Sequence, residues 1–99
     1  MRLTELSPRW IHPNVLVFRC PHCKSDWLAC KNATMSDKEQ YALYEATFGE
    51  DWNLQVVPAR ADFAWNIVGG DFNSLTVTPS IDASASGHWH GHITQGEVR

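Results

Sequence analysis

Long apolar runs are missing from this chain. Nothing in it approaches the roughly 18 uninterrupted apolar residues that a membrane-spanning helix needs. The stretch Met1 to Trp10 has neither the basic flank nor the apolar centre of an export signal, so a cytoplasmic setting is expected. A surplus of positive charge is missing as well. Eight Lys and Arg against 11 Asp and Glu give a net charge of -3 and a pI near 5.9, which disfavours general nucleic-acid binding through phosphate neutralisation. Internal repeats, linkers and low-complexity segments are absent. Cysteine is scarce: Cys20, Cys23 and Cys30 cannot all pair within one chain, and a reducing compartment makes metal ligation the better use for them.

What is present suffices for one folded unit. The chain has 99 residues, 43% of them hydrophobic and 11% aromatic, which is too apolar for a disordered tail and too short for two cores, so residues 1–99 form a single domain. A core of that size leaves a small margin over chain entropy and gains from a staple. Charge is unevenly spread. Residues 1–31 carry Arg2, Arg9, Arg19, Lys24 and Lys31 against Glu5 and Asp26, whereas residues 32–51 carry Asp37, Glu39, Glu45, Glu50 and Asp51 against Lys38. The second segment reads as a solvated helix face, and an acidic patch there suits a basic partner.

The patterning predicts a β-rich α+β fold with one helix. Residues 2–7 alternate as a short strand does, and 14–19 and 26–31 are β-rich apolar runs on either side of Cys20 to Ser25, which places the cysteines at a hairpin tip. Ser36 followed by Glu39 makes a capping box, Gly49 is placed to end the helix, and Tyr41, Tyr44 and Phe48 share a face that reads as core. Residues 52–57 and 62–68 are weaker strand candidates, with a turn at Gly69-Gly70-Asp71. Residues 74–78 alternate cleanly, 79–86 read as a loop, 88–94 as a strand, and Gln95-Gly96 as a turn before a short tail.

The chemistry lies in two motifs. Cys20-Pro21-His22-Cys23 is a tight turn whose backbone N–H groups can support both thiolates, the arrangement of a zinc knuckle. It is half a site. The missing N or S ligands are offered by Gly87-His88-Trp89-His90-Gly91-His92-Ile93, where three histidines stand at alternate positions. On a strand, side chains at i and i+2 share a face about 6.5 to 7 Å apart, so two imidazoles can bend to one ion while Trp89 and Ile93 pack inward. Gly91 then leaves room for a close neighbour. A Cys2His2 zinc site of Cys20, Cys23, His88 and His90 is expected, with His92 or Cys30 as alternates, and the knuckle hairpin would thereby be clamped to a C-terminal strand. His22 is expected to be exposed, and His12 has no evident partner in the sequence. Structural zinc in small domains is worth about 10 to 16 kcal/mol, as much as a whole domain's folding free energy.

The opening RLTELSPRW, the CPHC knuckle, SLTVTPSI and the closing GHWHGHITQGEV resemble a family of small phage and bacterial proteins, domain of unknown function 6527. The likeness covers both ends of the chain, and residues 32–71 are less distinctive. The resemblance implies metal ligands at Cys20, Cys23 and His90, with His88 at or near the fourth position. Many members offer a cysteine shortly before the final strand, where this chain has Ser84, Ala85, Ser86 and Gly87. Phage members are often labelled ammonia monooxygenase, an activity that needs membrane spans and a copper site which this sequence does not contain.

Three functions are weighed. A zinc-stabilised module that contacts a host or phage protein suits the small size, a closed ligand set and five tryptophans, a residue enriched at binding hot spots. A zinc-ribbon-like nucleic-acid binder would use Arg19, Lys24 and Lys31 around the knuckle. A zinc hydrolase would use the three alternating histidines, with Glu97, Asp82 or Asp71 as general base, none of them at a diagnostic spacing. The first is the expectation.

Overall fold

Two apolar runs flanking the knuckle set the frame. The computed structural model describes residues 1–99, with β1 (Arg9–His12), β2 (Val15–Arg19) and β3 (Trp27–Lys31) as an antiparallel ladder. β3 then leads into helix α1 (Asp37–Phe48), which crosses over to β4 (Val56–Val57), parallel to β3. A second sheet follows as a meander of β5 (Asn66–Val68), β6 (Thr76–Asp82), β7 (His90–Thr94) and β8 (Glu97–Val98). No helix is long and apolar enough to cross a membrane.

The three layers follow from side-chain parity along β2 and β3. Leu16, Phe18, Cys20, Leu28 and Cys30 face the second sheet and join Leu75, Val77, Ile81, Ile93 and Val98 in one core. Val15, Val17, Trp27 and Ala29 face the other way, against Tyr44 of α1 and Val56. Both faces of the hairpin are therefore buried, which is why its strands read as continuous apolar runs instead of alternating. The helix begins as its sequence predicts: Ser36 Oγ accepts the Glu39 N–H at 3.2 Å, and the chain leaves the helix at Gly49 with φ +94°. Tyr44 alone of the three expected aromatics is fully buried; Phe48 is half-buried and Tyr41 stacks on Trp52 at the surface.

Several expectations are corrected. Residues 2–7 are not a strand: Leu3–Leu6 is a 3-10 turn that sends Leu3 and Leu6 into the inter-sheet core, a spacing of three that suits this helix. The 52–57 candidate divides into a 3-10 turn (Trp52–Leu54) and the two-residue β4, and the 62–68 candidate shortens to β5. The strand begun at residue 74 does not stop at Pro79. β6 runs on to Asp82, and an irregularity between Val77 and Ile81 accommodates a residue with no N–H to give the ladder. The tail after Gln95-Gly96 is β8. Both turn residues have positive φ, +52° and +74°, as a two-residue hairpin loop with the sheet's twist demands.

Phe18 sits at the centre of the inter-sheet core, fully buried, with its ring edge-on to Trp89 at 6.3 Å between centroids. Phe18→Ala is expected to cost about 3 to 5 kcal/mol in urea denaturation. Leu54→Ala, at a side chain 74% exposed, should stay within about 0.5 kcal/mol of wild type.

Candidate metal centre

The knuckle is an extension of the hairpin ladder. Beyond the last strand pair, Arg19 with Trp27, the Cys20 N–H donates to Asp26 O at 2.8 Å, so residues 21–25 must turn within a fixed gap. The turn is closed by the Lys24 N–H donating to Cys20 O at 2.7 Å, with Lys24 in the left-handed region at φ +59°. That curl aims the N–H groups of Asp26 and Ser25 at the Cys23 sulfur. These two donors, assisted by the Ser25 hydroxyl and His88, pull the Cys23 thiol down from 9.0 to about 6. Cys23 is exposed, whereas Cys20 is buried at the end of the inter-sheet core, on the same face of β2 as Leu16 and Phe18.

The third donor comes from the second sheet. After β6 the chain makes a 3-10 turn (Ser84–Ser86), and Gly87 at φ +78° reverses it. Ala83 then closes a small loop: its carbonyl accepts the His88 N–H and its N–H donates to Trp89 O, both at 3.0 Å. His88 is held between these bonds. Trp89 packs against Phe18 and over Gly91, where any Cβ would lie 2.4 Å from the indole ring. The close neighbour that the sequence expects at Gly91 is thus Trp89, two residues before it, together with Arg99 O.

Cys20, Cys23 and His88 form a group whose ligand atoms all lie within 4.8 Å of one another. Within it, Cys23 Sγ and His88 Nδ1 stand 3.7 Å apart, although 65 residues separate them in sequence. Zinc–sulfur and zinc–nitrogen bonds of about 2.3 and 2.0 Å at a tetrahedral angle place the two donors ~3.5 Å from each other. The set of two thiolates and one imidazole fits a cation of zinc's softness.

His90 does not belong to this group, and neither do His92 and Cys30. His90 and His92 stand on the exposed outer face of β7, alternating with the buried Gly91 and Ile93. His88 precedes the strand and escapes its period of two, so the alternating spacing does not carry all three rings to one point. Cys30 lies inside the inter-sheet core opposite Leu16, where burial pushes its thiol strongly up. His22 is exposed, and His12 has a partner after all: its Nδ1 accepts the Asn14 N–H at 3.2 Å. The sequence reading gives no site role to Asp26, whose Oδ2 lies 3.4 Å from His88 Nε2. Its only signal was an acidic residue three positions after Cys23.

Other expected contributors are engaged elsewhere. Lys31 is buried, and its Nζ donates to Arg60 O at 2.5 Å; desolvation lowers its pKa. The basic patch around the knuckle therefore reduces to Arg19 and Lys24, with the Arg19 guanidinium lying 4.0 Å from the Trp27 ring centroid. Asp82 Oδ1 accepts the Ser84 hydroxyl and N–H at 2.6 and 2.9 Å, bonds that hold its carboxyl below the usual range. Asp71 Oδ1 accepts the Asn73 N–H and Glu97 pairs with Arg99, so all three proposed general bases have local partners. The chain matches no family model, no curated protein and no solved structure.

The Cys23 environment generates a pH prediction. Thiolate is the reactive form, so in metal-free protein Cys23 alkylation should climb as pH rises through about 6 and level off above it. Mass spectrometry after timed iodoacetamide treatment reads the midpoint. A midpoint near the ordinary 9.0 contradicts the N–H support described here. Cys30 should stay unmodified while the protein is folded.

Proposed function

We propose that this protein is a small zinc-stabilised binding module, with the ion stapling its two sheets and no catalysis of its own. One observation carries the reading: thiols at the tip of the first sheet's hairpin and an imidazole from the second sheet's turn converge within 4.8 Å. Thiolate and imidazole donors together select zinc over the harder divalent ions. A cation there would reinforce layers joined by side-chain packing and by the Trp65 N–H donating to Lys31 O at 2.7 Å, in a domain whose size makes about 10 kcal/mol of metal binding decisive. The resemblance of both termini to the phage and bacterial family is part of the proposal. So are a cytoplasmic setting and a host or phage protein as the partner.

A second reading is favoured by the number of donors. Three protein ligands with a fourth position open to water is the pattern of catalytic zinc, and Cys23 brings this group to the surface. Two thiolates and one imidazole also occur in catalytic zinc sites, but the three candidate general bases Glu97, Asp82 and Asp71 are engaged with Arg99, Ser84 and Asn73. Nucleic-acid binding is the weaker alternative, resting on Arg19 and Lys24 alone.

Purified protein should carry one zinc per chain by elemental analysis. Cys20→Ser should lose the metal and fold poorly, seen together as lost zinc and a lowered thermal midpoint. A stable, metal-free Cys20→Ser protein with an unchanged midpoint would sink the stapling role. Cobalt substitution separates the two readings: a visible spectrum that ignores added azide supports a closed site, and one that shifts with azide supports an open position.

A further inference from the structure

His88 is the only member of the metal group with a second ring nitrogen to place. Its Nδ1 faces Cys23 Sγ at 3.7 Å, and its Nε2 faces the Asp26 carboxylate at 3.4 Å. The two nitrogens of an imidazole point away from each other in the ring plane. A cation held among the two sulfurs and Nδ1 therefore lies on the far side of the ring from Asp26. A neutral imidazole that gives Nδ1 to a metal carries its proton on Nε2, and a carboxylate there can only accept.

Asp26 is well fixed for such a task. Its carbonyl accepts the Cys20 N–H at 2.8 Å, its N–H supports the Cys23 sulfur, and β3 begins at the next residue. A short side chain on so constrained a backbone has little freedom. The His88 ring is largely enclosed, with its side chain 14% exposed against 38% for Asp26.

We propose that Asp26 is a positioning residue of the metal centre: its carboxylate accepts the His88 Nε2–H and holds the ring so that Nδ1 is presented to the cation. This rests on the metal-site reading above and adds the mode of histidine ligation and the residue that sets it. One residue then serves two ligands, by its backbone N–H for Cys23 and by its carboxylate for His88. Partners of this kind fix tautomer and ring orientation at metal-bound histidines, and their loss weakens metal binding about 10- to 100-fold.

The test uses the full chain and zinc itself. Long-range proton–nitrogen NMR of the zinc-loaded wild type should show His88 protonated at Nε2 and bound through Nδ1. In chelator competition, Asp26→Ala should lose about 10- to 100-fold in zinc affinity, and Asp26→Asn, whose amide oxygen can accept the same bond, should recover most of it. His88 bound through Nε2 overturns the proposal, whatever the variants do, so a variant that fails to fold does not shelter it. Asp26→Ala within twofold of wild type overturns it too, as does Asp26→Asn no better than Asp26→Ala, which would assign the effect to charge alone. A wild type that takes up no zinc brings down the metal reading and this one with it. Zinc uptake that ignores Asp26 brings down only this one.

Discussion

Burial of the β2–β3 hairpin on both of its faces is the constraint from which the rest of this molecule follows. One face is covered by α1 and the other by the second sheet, so the apolar residues of the pair are divided between two cores by parity. Cys20 falls on the inter-sheet side. The knuckle that begins at Cys20 is thereby carried to the rim of the junction between sheets, where a ligand from the second sheet can reach it. Without the second sheet over that face, the two cysteines would have no His88 beside them to complete a site.

The second sheet answers this placement through its turns. Between β6 and β7, the reciprocal bonds of Ala83 with His88 and Trp89 set the imidazole and the indole side by side. The indole plugs the core against Phe18 while the imidazole reaches the sulfurs. Packing and chemistry are coupled here, because the contact that seats Trp89 also sets the height of His88. Gly91 is needed for the same reason, since the indole occupies the space where its side chain would be.

Electrostatics divides the three cysteines by environment. Cys23 sits at the surface among N–H donors and is shifted toward thiolate; Cys30 is enclosed by hydrocarbon and held as thiol. Cys20 shares a sulfur cluster with the first and a core with the second. Lys31 is another case of environment overriding type. Its ammonium turns inward to carbonyl oxygens of Arg60 and Met35 and ties the end of β3 to the connection after β4.

Local features were legible in the residues themselves. The hairpin strands, the helix with its Ser36 cap, the Gln95-Gly96 turn and the Cys20–Cys23 knuckle each depend on neighbours within a few positions, where periodicity, capping chemistry and turn preference act. Choosing among His88, His90 and His92 was not legible, because it depends on where β7 starts pairing with β6, and that register is set by contacts across the sheet. The same holds for Asp26 beside His88, for the burial of Lys31, and for a strand that passes through Pro79. By itself the chain determined that two thiols would stand together on a tight turn in a small β-rich domain. Only the packing of one sheet on the other decided which imidazole meets them, since donors 65 residues apart are brought together by the shape of a shared core and by nothing in their spacing.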